Sequence, residues 1–148
     1  ALKGQDAAIV AVGAGARGQV RSIGTANVIA GMKAEGVRRL IALSTLGAGD
    51  SRGKLNFFWR YIMFGLLLRR AMADHEQQEA WVRSSDLDWT IIRPAAFSDE
   101  PCESKFHHGS LEGVVDLALR VPRRDVARFM VKQVEDSSYL LAAPALSC

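Results

Sequence analysis

The stretch Ala8-Ile-Val-Ala-Val-Gly-Ala-Gly-Ala-Arg-Gly-Gln19 constrains the fold more than any other part of the chain. Residues 7–12 are almost wholly apolar and run into glycine, the pattern of a strand buried on both faces of a parallel sheet. Beyond Gly13, Gly15 and Gly18, the apolar residues Val20, Ile23, Val28, Ile29 and Met32 recur at mixed three- and four-residue spacings. Gly36 then acts as a C-terminal stop, which predicts a helix over residues 20–35. Arg39-Leu-Ile-Ala-Leu-Ser44 is a second apolar strand, and residues 47–53 form a glycine- and polar-rich loop after it. A helix between two buried strands implies a right-handed parallel crossover, and with it the α/β class.

The rest of the chain continues the alternation. A second helix is expected over residues 71–84, a strand over Asp88-Trp-Thr-Ile-Ile-Arg93 halted by Pro94, a last helix over residues 124–134 and a short final strand within residues 139–146. No internal repeat or low-complexity linker interrupts it. At 148 residues the chain suits a single domain, which typically runs to ~100–150 residues. Hydrophobic residues at 49% and charged residues at 24% exclude a disordered chain. The net charge of +3 is spread without a dense basic run, so no nucleic-acid partner is expected, although a phosphorylated cofactor would suit it. Residues 55–68 are the most apolar stretch. They fall short of the ~20 residues a bilayer needs, so no membrane span is expected, and Arg60 interrupts them. Cys102 and Cys148 are too few for a disulfide framework and lie in unrelated contexts, and no secretory leader is visible. A cytoplasmic location is the expectation. Residues 1–6 lack an initiating Met and read like the last turn of a helix closing on Gly4, so the chain is expected to begin inside a larger fold.

Gly13-x-Gly15-x-x-Gly18 after a strand spells the fingerprint that cradles a dinucleotide pyrophosphate. That fingerprint also needs an acid at the end of the next strand to take the ribose hydroxyls, and here the next strand ends in Ser44-Thr45. The spacing alone is a weak signal in a chain with 13 glycines.

The segments from Ala1 to Gly13, Gly24-Thr-Ala-Asn27, Gly36 to Gly49, Leu87-Asp-Trp-Thr-Ile-Ile-Arg-Pro94 and Arg124-Asp-Val-Ala127 together resemble the atypical short-chain dehydrogenase/reductases. Within these, the chain is most similar to the NAD(P)H-binding group that includes NmrA-like proteins and flavin/biliverdin reductase-like enzymes. The resemblance implies a Rossmann-like, doubly wound parallel sheet. This chain would supply its C-terminal half, strands four to six plus a short last strand with flanking helices, in one N-terminally incomplete domain over residues 1–148. Gly13 to Gly18 would then be the loop after the fourth strand, lying along the cofactor, and the phosphate-binding loop would be absent. Without the first strand, residues 9–12 would form an unpaired apolar edge, expected to dimerise, rearrange or depend on the missing half.

The resemblance also implies NADP or NAD as cofactor, a small conjugated acceptor such as a flavin or quinone as substrate, and cofactor contacts at Gly13, Ala14, Gly15, Ser44, Thr45, His75, Pro94, Ala95 and Ala96. It casts Ser44 as a hydrogen-bond donor to the substrate carbonyl; a hydroxyl capping the strand end is the other reading. No Tyr-x-x-x-Lys pair exists, and Ala71 and His75 stand where the resemblance puts it. His75 could replace the lysine or donate a proton; alternatively it is a solvated helix histidine between Asp74 and Glu76. Arg93 could pair with a helix acid. Phe57, Phe58, Trp59, Tyr61 and Phe64 form packed core, a lid for a flat apolar substrate, or an apolar surface for a protein partner or membrane face bordered by Arg69 and Arg70. Cys102, His107 and His108 match no strong metal-ligand spacing, so no metal is assigned. Arg120, Arg123, Arg124 and Arg128 read as a solvated, partly paired face beside Asp116 and Asp125. A catalytic domain, a dinucleotide-sensing module of NmrA type and a truncated chain without cofactor binding all remain open.

Overall fold

The structure is a computed structural model, and it describes residues 1–13, 15, 18–49, 69–103, 105–110 and 118–148. The aromatic stretch from Phe57 to Phe64, Ala14 and Asp116 lie outside the described residues. In chain order the elements are β1 (Ala7–Val10), α1 (Val20–Glu35), β2 (Arg39–Leu43), α2 (Arg69–Arg83), β3 (Asp88–Pro94), β4 (Ala96–Ser98), β5 (His107–Gly109), β6 (Arg120–Pro122), α3 (Arg123–Lys132) and β7 (Ala145–Ser147).

A five-stranded sheet has the order β1-β2-β3-β7-β5. β1, β2, β3 and β7 run parallel, with Ala8 against Leu40 and Leu40 against Trp89, and β5 is antiparallel to β7. β4 and β6 form a separate two-stranded parallel ribbon. Because side chains alternate across a strand, β2 sends Leu40 and Ala42 to one core and Ile41 to another. The first core packs Ile29 and Met32 of α1 and Val82 of α2 onto Val10, Trp89 and Ile91. The second packs Val126, Phe129 and Met130 of α3 onto Ile41, Ile92 and Leu146. Helices on both faces of a parallel sheet explain why its strands read as continuous apolar runs.

α1 spans the expected residues 20–35, and Gly36 closes it in the left-handed region at φ 73°. The final strand is shorter and later than the sequence suggests. Residues 139–142 turn instead, with Leu141 at φ 54° and Ala142 making only an isolated bridge to Thr90. Pro144, which has no N–H to give a ladder, delays the regular pairing to residue 145. β4, β5 and β6 fall in a segment whose sequence carries no strand pattern; three-residue strands are too short to show a period.

The expectation for the cysteines is corrected. Cys102 and Cys148 form a disulfide, with their Cα atoms 5.6 Å apart and a sequence separation of 46. β7 brings them together: it lies along β3, and Cys148 N donates to Arg120 O, which sets its end against β6, the partner of the β4 strand that the Cys102 loop follows. Among the described residues no helix is long and apolar enough to cross a membrane.

Candidate functional site

The carboxyl ends of β1, β2 and β3 open on one side of the sheet into a cleft of about 260 Å³. Of the residues expected to meet a cofactor, Gly13, Ser44, Thr45, His75, Pro94, Ala95 and Ala96 line it together. Gly15 stands outside the lining, and Ala14 lies outside the described residues. Arg21, Leu43 and Phe97 also line the cleft, as do Ala11 and Val12. The volume lies near the lower limit of ligand pockets, ~300 Å³, so the cleft suits part of a dinucleotide rather than the whole.

The three glycines serve the packing around this cleft. Gly15 adopts φ 58°, the left-handed region where a Cβ is penalised. A Cβ on Gly18 would lie 3.0 Å from the carbonyl oxygen of Arg70, so this glycine lets the turn approach the start of α2. The N-terminus of α1 is not open to a phosphate. Gln19 precedes it at φ 75° without a side-chain cap, and the cap comes from α2 instead. The Asp74 carboxylate accepts hydrogen bonds from the backbone N–H of Arg21 and Ser22, both at 3.0 Å, and from the Ser22 hydroxyl at 2.6 Å. A carboxylate therefore already occupies the place where a fingerprint helix would hold pyrophosphate. Burial pushes the Asp74 carboxyl up, but the Ser22 hydroxyl, the two N–H groups and the Arg21 cation outweigh it and hold it below the usual carboxylate range.

His75 follows Asp74 on α2 and is half-buried rather than solvated. Burial, then the nearby Arg21 cation, depress its pKa to about 4 against the opposing pull of Gln78, Asp74 and Glu79. The imidazole is consequently neutral near pH 7. Its Nδ1 is buried and has no hydrogen-bond partner among the described residues, as is also true of Gln78 Oε1 one turn along the same face.

Ser44 is held from behind. Its hydroxyl donates to Glu79 Oε1 at 2.7 Å, and its backbone N–H continues the β2–β3 ladder to Ile92 O at 2.8 Å. Glu79 in turn accepts from Arg93 Nε at 3.0 Å and Nη2 at 2.7 Å, a two-pronged pair whose side chains are only 4% and 3% exposed. Arg93 does pair with a helix acid, and Ser44 lines the cleft with its proton directed into that pair. Its oxygen lone pairs are what it can offer to the cleft.

These residues fit the nicotinamide end of a dinucleotide: an apolar wall at Pro94 and Ala95, exposed backbone at Gly13, a serine oxygen, and a neutral imidazole with an unpartnered nitrogen. The other candidates lie elsewhere. His108 Nδ1 is 2.7 Å from the Tyr139 hydroxyl, and Cys102 is tied to Cys148, so the Cys102, His107 and His108 group does not converge. Arg124 and Arg128 lie 3.8 and 3.7 Å from Asp125, and Arg123 pairs with Asp99. Arg21, Asp74 and Glu79 were not predicted as site residues. The one local signal for Arg21 is a cation in the first turn of a helix, where the dipole disfavours it.

Comparison with known proteins agrees with this architecture. A family described as NAD(P)H-binding matches residues 1–137. The UPF0659 protein YMR090W of Saccharomyces cerevisiae is 29% identical over 143 residues, a match covering 90% of this chain and 58% of that protein. A short-chain dehydrogenase/reductase from Veillonella parvula, crystallised in complex with NADP, superposes with a TM-score of 0.75 at 18% identity, over 98% of this chain and 64% of that one. ChuY, an anaerobillin reductase from Escherichia coli O157:H7, gives 0.71 at 24% identity, over 95% and 62%. The chain thus spans about three-fifths of the length of these relatives. With the family matched over most of its length and the Rossmann-like sheet in place, the chain belongs to the NAD(P)H-binding family, with NADP or NAD as its cofactor.

Proposed function

We propose that residues 1–148 form the part of an NAD(P)-binding oxidoreductase domain that receives the nicotinamide end of NADPH or NADH and the hydride acceptor. The observation that carries this reading is the cleft itself, where Gly13, Ser44, Thr45, His75 and the 94–96 turn meet at the carboxyl ends of parallel strands. When bound, the reduced nicotinamide supplies a hydride; the chain's own residues position and exclude. Pro94 and Ala95 offer a flat apolar wall, Ser44 a lone pair, and His75 a neutral ring able to donate or accept a hydrogen bond. The acceptor that suits such a wall is small and conjugated, of flavin or quinone type, and ChuY, similar in fold, is itself a reductase. Solvent supplies the accompanying proton, since the Tyr-x-x-x-Lys pair is missing and the neutral His75 ring can offer a hydrogen bond but no proton of its own. A cytoplasmic location accords with use of the dinucleotide pool.

A second reading has support from one feature. With the Ser44 proton given to Glu79 and no tyrosine acid, a non-catalytic NAD(P)-sensing module of NmrA type is also served by this cleft. Titration of the chain with NADPH and NADH, followed by nucleotide fluorescence and calorimetry, tests both; the expected outcome is saturable binding. Oxidation of NADPH on addition of a flavin or quinone then supports the enzyme. Binding without turnover supports the sensor, and no binding of either nucleotide overturns both.

A further inference from the structure

Arg21 is the second residue of α1, only 9% exposed, and its guanidinium touches three parts of the site. Nη2 donates to Gly15 O at 3.1 Å, in the turn after β1. Nη1 lies 3.5 Å from Asp74 Oδ2, the residue on α2 that precedes His75. Nη2 also packs 3.4 Å from where a Cβ on Gly13 would stand. Among the described residues lining the cleft, Arg21 is the one that carries a full charge near neutral pH, His75 being neutral there. A guanidinium is suited to such bridging, because its planar fork holds several acceptors at once.

We propose that Arg21 is the positioning residue of the dinucleotide site, tying the Gly13–Gly15 turn to α2 so that the exposed glycine backbone and the His75 ring face the same ligand. The inference rests on the dinucleotide reading given above. Two independent features support it. The helix N-terminus that would otherwise hold an anion is filled by Asp74, so α1 contributes to the cleft through this side chain rather than through its amides. Burying a cation is expensive unless it is paired, and the partners of this one include the turn after β1, at Gly15 O, and α2, at Asp74. The groups facing His75 are Arg21 from α1 and Asp74, Gln78 and Glu79 from its own helix; at the strand ends Ser44 and Thr45 are neutral, and Arg93 is paired with Glu79.

The test compares the wild-type chain with Arg21→Lys and Arg21→Met by NMR titration of the His75 ring and by NADPH binding as a function of pH. In the wild type, His75 is expected to titrate near 4, and NADPH affinity to stay flat from about pH 5 to 8. In Arg21→Met the His75 titration moves up, NADPH affinity falls ~10-fold, and a pH dependence appears that follows the displaced histidine. Arg21→Lys keeps the charge but cannot span both acceptors; its His75 titration stays low while affinity falls ~3-fold. A purely structural loss would weaken binding evenly over pH and leave the histidine where it was. Unchanged histidine titration in both variants, or Arg21→Lys binding NADPH as wild type does, overturns the inference. If the wild type binds neither nucleotide, the dinucleotide reading fails, and the histidine titration alone still decides whether Arg21 sets the ring. Should Arg21→Met lose its native amide spectrum, Arg21→Gln takes its place under the same criteria.

Discussion

In the unfolded chain the His75 imidazole takes up a proton near its ordinary value of 6.5, whereas in the fold it resists protonation down to about 4. The unfolded state therefore binds more protons between these values, and stability falls as pH is lowered from 6.5 towards 4, then levels off. The loss expected over that window is about 3 kcal/mol. Urea denaturation at a series of pH values measures it, and His75→Gln should flatten the slope. A second residue-scale prediction concerns the Glu79–Arg93 pair. Removing Glu79 takes the carboxylate away from the buried Arg93 guanidinium and frees the Ser44 hydroxyl, so Glu79→Ala should destabilise the chain by about 3–5 kcal/mol. If Arg93 were solvated in practice, the change would be within about 1 kcal/mol. A helix acid as the partner of Arg93 was open to expectation, but the state of His75 was not: a histidine between Asp74 and Glu76 looks solvated in sequence, and only the fold half-buries it.

At the scale of elements, α1 depends on a cap from another helix. Its first turn holds no acid and a buried arginine, both unfavourable to the dipole, and Gln19 gives no cap. The Asp74 carboxylate, 53 residues away in sequence from Arg21, supplies what the local sequence lacks. Asp74→Ala should thus cost about 3 kcal/mol and loosen the start of α1 first, which hydrogen exchange at Arg21 and Ser22 would register. Its pH signature differs from that of His75. The Asp74 carboxyl is held below its ordinary value, so its contribution is complete above the usual carboxylate range and is lost as pH falls through and below it. The span of α1 itself was legible, because its stop is a glycine in a conformation that favours glycine and its apolar spacing is regular. β4, β5 and β6 were not, since pairing between distant segments forms them and no local pattern does.

At the scale of the whole molecule, the sheet ends on β1, which among the described residues pairs with β2 on one side only; Ile9 in it is 44% exposed and Val12, two residues beyond it, 41%. With Val20 and Ile23 of α1 also exposed, this edge is apolar and uncharged, the type that recruits another strand. Self-association through β1 is therefore expected, with sedimentation velocity showing a concentration-dependent shift that Ile9→Lys abolishes. A chain that stays monomeric over the same range would show that the edge is protected. The unpaired edge was foreseen from the resemblance, and the expected lining residues Gly13, Ser44, Thr45, His75 and Pro94 to Ala96 do meet in one cleft. What the amino-acid sequence determined by itself was the alternation of buried strand and amphipathic helix, because period and glycine punctuation act over a few residues. The tertiary structure alone decided the Asp74 cap, the Glu79–Arg93 clamp behind Ser44, the buried neutral His75 and the meeting of Cys102 with Cys148. Each of these is a contact across 14 to 53 residues of chain or the burial such contacts produce, and a group's charge, proton and partner are set by what the fold places beside it.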